Sequence, residues 1–101
     1  MKSNELILVV EDDDAIGKLL EISLQKFGYK TRLVKDMTSA KREWMTQNPI
    51  LLILDIGLPD GDGKHFISFV RKESQTPIIV LSAGSDEKEI IAALDLGADD
   101  Y

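Results

Sequence analysis

The sequence predicts an α/β fold, a doubly wound parallel sheet, on three observations. Short apolar runs bounded by turn residues alternate with stretches of helical period along the chain. One run, Ile50 to Leu54, is apolar at every position, which marks a strand covered on both faces. The 101 residues suit one domain, and no linker, repeat or low-complexity segment divides them.

The elements follow in order. Leu6 to Val10 is the first strand. The spacing of Ile16, Leu19, Leu20, Leu24 and Phe27 predicts a helix with one apolar face, stopped at Gly28. Tyr29 to Val34 is short and mixed, as an outer strand would be. A second helix carries Met37, Ala40, Trp44 and Met45 and closes at Asn48-Pro49. Ile50 to Leu54 is the third strand. A third helix with Phe66, Ile67 and Val70 leads to Thr76-Pro77, and Ile78 to Leu81 forms another buried run. Ser85 or Asp86 caps a fourth helix with Ile90, Ile91, Leu94 and Leu96, which ends at Gly97. A fifth strand is expected to begin at Tyr101. The resulting sheet is of the flavodoxin-like kind, order 2-1-3-4-(5), with the fifth strand cut short.

Composition narrows the classes of function. A net charge of -6 argues against a nucleic-acid surface, because phosphate binding wants a basic face. The absence of cysteine excludes a disulfide framework and thiolate metal sites, and fits a cytoplasmic location. No apolar run has the length of a membrane span.

Acids mark the one crevice that such a sheet reserves for a ligand. In order 2-1-3-4-5 the winding reverses between strands one and three, and ligands bind beyond their carboxyl ends. Those strands end in Glu11-Asp12-Asp13-Asp14 and in Asp55. Taken singly, the first group reads as helix capping, with Asp13 or Asp14 as the cap, and Asp55 reads as a turn residue. Taken together they are mutually repulsive and call for a cation. Oxygen ligands without His or Cys suit Mg²⁺. A flavin or phosphate loop would offer glycines and hydroxyls there instead. Asp60-Gly61-Asp62-Gly63 lacks the spacing of a calcium loop. Asp55 is then positioned as a nucleophile that takes a phosphoryl group, and Gly57 is placed to lend the metal a backbone carbonyl.

Four stretches carry a family likeness: LVVEDD (8–13), LDIGLPDGDG (54–63), PIIVLSA (77–83) and LGADDY (96–101). In this order and spacing the sequence resembles a response-regulator receiver domain of two-component signalling, in the OmpR/PhoB class and its potassium-transport branch. The resemblance implies Asp55 as phosphoacceptor and Glu11 and Asp12 as the acidic pair, with Asp12 the more direct Mg²⁺ ligand. It implies Ser82 as the switch hydroxyl, Ala83 as the small residue beside it, and Tyr101 as the aromatic that turns inward. It also implies a sensor histidine kinase as partner and transcriptional regulation in a longer parent.

His65, on a helix start after a glycine-rich turn, reads as solvated rather than as a relay histidine. Trp44 reads as core or partly covered surface, and Arg71 and Lys72 as a solvated face. The family pattern continues past Tyr101 into a strand ending in Lys-Pro and a last helix, so residues 1–101 are expected to be an incomplete receiver domain. An uncovered fourth strand would then offer an edge to a second copy, as would the helix-four side. This motivates an alternative: a docking or dimerisation module with impaired switching. A free-standing phosphatase is disfavoured, because such enzymes carry a second acid two residues after the nucleophile and this chain has Gly57.

Overall fold

The computed structural model describes residues 5–56, 63–81, 91, 92 and 94–99. Its elements are β1 (Leu6–Val10), α1 (Asp14–Lys26), β2 (Lys30–Val34), α2 (Met37–Gln47), β3 (Leu51–Asp55), α3 (Gly63–Arg71) and β4 (Ile78–Leu81). All neighbouring strands are parallel, in the order β2-β1-β3-β4. This is the predicted doubly wound arrangement. Beyond β4, residues 91, 92, 94 and 95 are helical, and Gly97 follows with φ of +121°. The expected caps Ser85 and Asp86, and Ile90, lie outside the described residues.

Alternation along the strands divides the core in two. Leu8 and Val10 of β1, Leu52 and Leu54 of β3, and Ile78 and Val80 of β4 face α2 and α3. There they pack with Met37, Ala40, Trp44, Phe66, Ile67 and Val70. Ile7, Val9 and Ile53 face the other way, against Leu20 and Leu24 of α1 and Leu33 of β2. Two-residue periodicity in the strands therefore places α1 on one face and α2 and α3 on the other.

Local chemistry sets the helix ends. The Asp13 carboxylate accepts from the N–H groups of Ala15 and Ile16 at 2.9 and 3.0 Å, so Asp13 rather than Asp14 caps α1. Gly28, at φ +90°, takes the left-handed turn after the helix as expected. Asp36 caps α2 through the Ser39 N–H at 2.7 Å.

Several expectations of burial need correction, Ile50 among them, which is exposed at the start of the β3 run. On α1 only Leu20 and Leu24 of the expected face pack inward; Ile16 and Leu19 are exposed, and Phe27 is 81% exposed. Helix α1 approaches the sheet through Gly17, whose added Cβ would lie 2.8 Å from a Leu33 methyl, so the far side of the stripe turns away. Met45 is exposed while Trp44 is core, because Trp44 continues the Met37–Ala40 line and Met45 lies one step round the helix. The β4 run is not buried throughout: Ile78 and Val80 are fully covered, but Ile79 and Leu81 are half-buried. Their face is that of α1, which lies over β1 and β2 instead. Ile91, Leu94 and Leu96 are likewise exposed, and Ala98 is the residue of that segment that joins the core.

Candidate functional site

Strand register brings the acids together. Val10 pairs with Val34 on one side and Leu54 on the other, so Glu11 and Asp12 emerge beside the end of β3, where Asp55 is the last residue. The Glu11 N–H continues the ladder by donating to the Val34 carbonyl at 3.0 Å. One carboxylate oxygen from each of Glu11, Asp12 and Asp55 lies within 4.8 Å of the others. Glu11 and Asp55 are 4% and 7% exposed, whereas Asp12 stands at the exposed rim.

Glu11 bears the electrostatic consequence. Its carboxyl is pushed up from 4.5 to about 7, first by burial. A hydrogen bond shared with Asp55 and the negative charges of Asp55 and Asp12 add to the rise. The Asp13 N–H, donating to Glu11 Oε2 at 3.1 Å, opposes it. Asp13 therefore has two duties: its side chain caps α1, and its backbone orients Glu11. Only the capping was foreseen, since an amide contact two residues away leaves no mark in residue type.

The start of α3 is fitted closely to the end of β3. A Cβ on Gly63 would sit 2.7 Å from the Ile56 Cα, so only glycine lets α3 begin this near the residue after Asp55. At the rim Lys35 pairs with Asp14, tying the start of α1 to the end of β2. His65 is exposed, as expected for a solvated residue. Gly57, Ser82, Ala83 and Tyr101, the remaining predicted site residues, lie outside the described residues.

The donor set fits a hard divalent cation: three carboxylates, oxygen only, in a cluster where burial and repulsion already disfavour one of the charges. Sheet order, register and acids together define a recognisable unit. The chain matches the response regulator receiver domain family over residues 7–101. It is a member of that family. The receiver domain is 47% identical over 95 residues to the KDP operon transcriptional regulatory protein KdpE of Escherichia coli K12, covering 94% of this chain and 42% of that protein. It is 43% identical over 95 residues to the transcriptional regulatory protein KdpE of Staphylococcus aureus, covering 94% of this chain and 41% of that one. The receiver domain thus spans about two fifths of the length of these relatives. Its structure superposes on the BeF3-activated N-terminal receiver domain of Klebsiella pneumoniae RstA with a TM-score of 0.89 at 31% identity. That match covers 96% of this chain and 83% of the other. The OmpR/PhoB-class, KdpE-like resemblance carried by the four motifs is borne out.

Arg71 corrects the reading of a solvated face. Its side chain is only 14% exposed, and its guanidinium donates to four acceptors at the end of the sheet opposite Asp55. The partners lie up to 28 residues away in sequence, so no local pattern announces them.

Proposed function

We propose that this receiver domain accepts a phosphoryl group on Asp55 from a sensor histidine kinase, with Mg²⁺ held by Glu11, Asp12, Asp55 and the Gly57 carbonyl. The observation that carries the reading is the convergence of three carboxylates at the reversal point of the sheet, with their oxygens within 4.8 Å. An Asp55 oxygen bonds to phosphorus as the P–N bond of a phosphohistidine breaks, and the freed imidazole nitrogen holds a proton from solvent. The ion, when bound, neutralises the equatorial phosphoryl oxygens. Glu11 must be ionised to take part, and the Asp13 N–H holds it in the orientation that does so. Ser82 is the hydroxyl that bonds the new phosphoryl oxygen, beside the small Ala83, and Tyr101 is the aromatic that responds. The cognate relatives are transcriptional regulators, so the longer parent is read as regulating transcription from the cytoplasm. Position 57 is glycine, which supports a signalling domain over an enzyme that turns over outside substrates.

The test is mass spectrometry after incubation with Mg²⁺ and a small phosphodonor. A phosphoryl adduct on Asp55, lost in Asp55→Asn, supports the reading. An adduct elsewhere, or none, ends it. A second reading, a docking or dimerisation module without switching, is favoured by the exposed Leu19 and Phe27 on α1 and the half-buried Ile79 and Leu81. It predicts self-association that a concentration series in small-angle scattering finds unchanged by phosphodonor.

A further inference from the structure

The far end of the sheet holds a second polar constellation. Arg71, the last residue of α3, donates from Nε to the Gly97 carbonyl at 2.9 Å. Its Nη1 donates to the carbonyls of Ser74 and Thr76 at 3.1 and 2.8 Å. Its Nη2 donates to Asp99 Oδ2 at 2.8 Å. The same Asp99 oxygen accepts from the Ile78 N–H at 2.8 Å, and the Asp99 N–H donates to the Ile78 carbonyl at 2.8 Å. One guanidinium therefore joins the end of α3, the α3–β4 loop, the start of β4 and the 97–99 turn. A flat fork of five N–H groups suits this task, and a lysine ammonium does not. Gly97 completes the fit: a Cβ there would meet Arg71 Cγ at 2.9 Å, on backbone already at φ +121°.

This constellation lies about 10 Å from the acids, the length of β4 at roughly 3.3 Å per residue, since Ile78 opens that strand and Leu81 pairs with Asp55. The helical residues 91, 92, 94 and 95 lead to the clamped turn, and Leu96 and Gly97 still bond back to Ala92 and Leu94. We propose that Arg71 is a positioning residue that pins the lower end of the 91–99 segment to α3 and β4, so that a change begun at Asp55 leaves this end in place. The second half of that statement rests on Asp55 being the phosphoacceptor; the pinning does not.

Amide hydrogen exchange tests it on the full chain, for wild type, Arg71→Met, Arg71→Lys and Asp99→Asn, each with Mg²⁺ and with or without a small phosphodonor. Adduct mass is read on the same samples. Without donor, Arg71→Met speeds exchange at Ile78 and residue 99 by about tenfold or more, while the Ile50 amide, bonded to Leu6, moves far less. Arg71→Lys and Asp99→Asn fall between. With donor, wild-type exchange at both positions stays constant, and in Arg71→Met it becomes donor-dependent. Equal acceleration at Ile50, Ile78 and residue 99 in Arg71→Met would reduce Arg71 to general stability and overturn the proposal, as would donor-dependent exchange at Ile78 in the wild type. Should Arg71→Met fail to fold, Asp99→Asn and Arg71→Lys give the same comparison. An absent adduct counts against phosphate acceptance alone, because the donor-free exchange still decides the pinning.

Discussion

The raised Glu11 carboxyl makes the metal-free domain sensitive to pH in a direction opposite to that of a carboxylate held by a cap or a cationic partner. Unfolded, Glu11 titrates near 4.5; folded, it titrates at about 7. Between these values the folded state binds the extra proton, so stability is complete below 4.5 and is lost as pH rises through 7. At roughly 1.4 kcal/mol per pH unit, the whole displacement is worth at most about 3 to 4 kcal/mol. That is a large share of the ~5–15 kcal/mol that holds a domain of this size folded. Urea unfolding in chelator, from pH 5 to 8, should therefore show stability falling by about 2–3 kcal/mol in the wild type. Glu11→Gln keeps the shape and removes the titration, so its profile should be nearly flat over that range and should lie above the wild type at pH 8. Saturating Mg²⁺ should stabilise the wild type most at the alkaline end, where Glu11 is ionised and able to bind. A wild-type profile that is flat or rising from pH 5 to 8, or a Glu11→Gln profile of the same slope, would refute the reasoning.

Other outcomes follow from the same geometry. Asp12→Asn removes one repelling charge from an exposed rim position, so it should raise the metal-free unfolding stability slightly, by roughly 0.5 kcal/mol. It should also weaken Mg²⁺ binding, measured by calorimetry. Gly63→Ala forces a Cβ against the Ile56 backbone at 2.7 Å, which cannot give way, so denaturant unfolding should show a loss of about 2 kcal/mol or more. Gly17→Ala meets only the tips of Leu33, which can rotate, and gains helix propensity; the net change should stay within about 1 kcal/mol. Asp36 is held below its usual range by the Ser39 backbone and hydroxyl, so the stability it lends is lost only as pH falls below 3.8. Asp36→Ala should therefore narrow its gap to the wild type in strong acid.

How much was legible depends on the range of the interactions involved. Strand identity and order were readable because apolar runs and helical spacing are local signals, and parallel crossovers leave few ways to assemble them. The acidic cluster was readable for the same reason: Glu11, Asp12 and Asp55 each end a strand, and the register of β1 with β3 does the rest. Burial on α1 was less so. Ile16, Leu19 and Phe27 belong to the same apolar stripe as Leu20 and Leu24, and only the approach at Gly17 decides which edge of that stripe meets the sheet.

Arg71 marks the other limit. A basic residue at a helix end is usually solvated, and nothing near it in sequence distinguishes this one. What distinguishes it is Gly97, 26 residues on, and Asp99, 28 residues on, docked on the Ile78 end of β4. The motif LGADDY marked these positions as notable without saying why. The clamp supplies a physical reason for part of it: glycine at 97 for a positive φ and for room beside Arg71, a small residue at 98 that enters the core, and a carboxylate at 99 that joins an arginine to a strand end. Ion pairs on open surfaces contribute little, but here the guanidinium is largely buried and satisfies four acceptors at once. Removing it leaves carbonyls at 74, 76 and 97 without their donor, which is why the expected damage is local and concentrated at Ile78 and Asp99 rather than spread through the sheet.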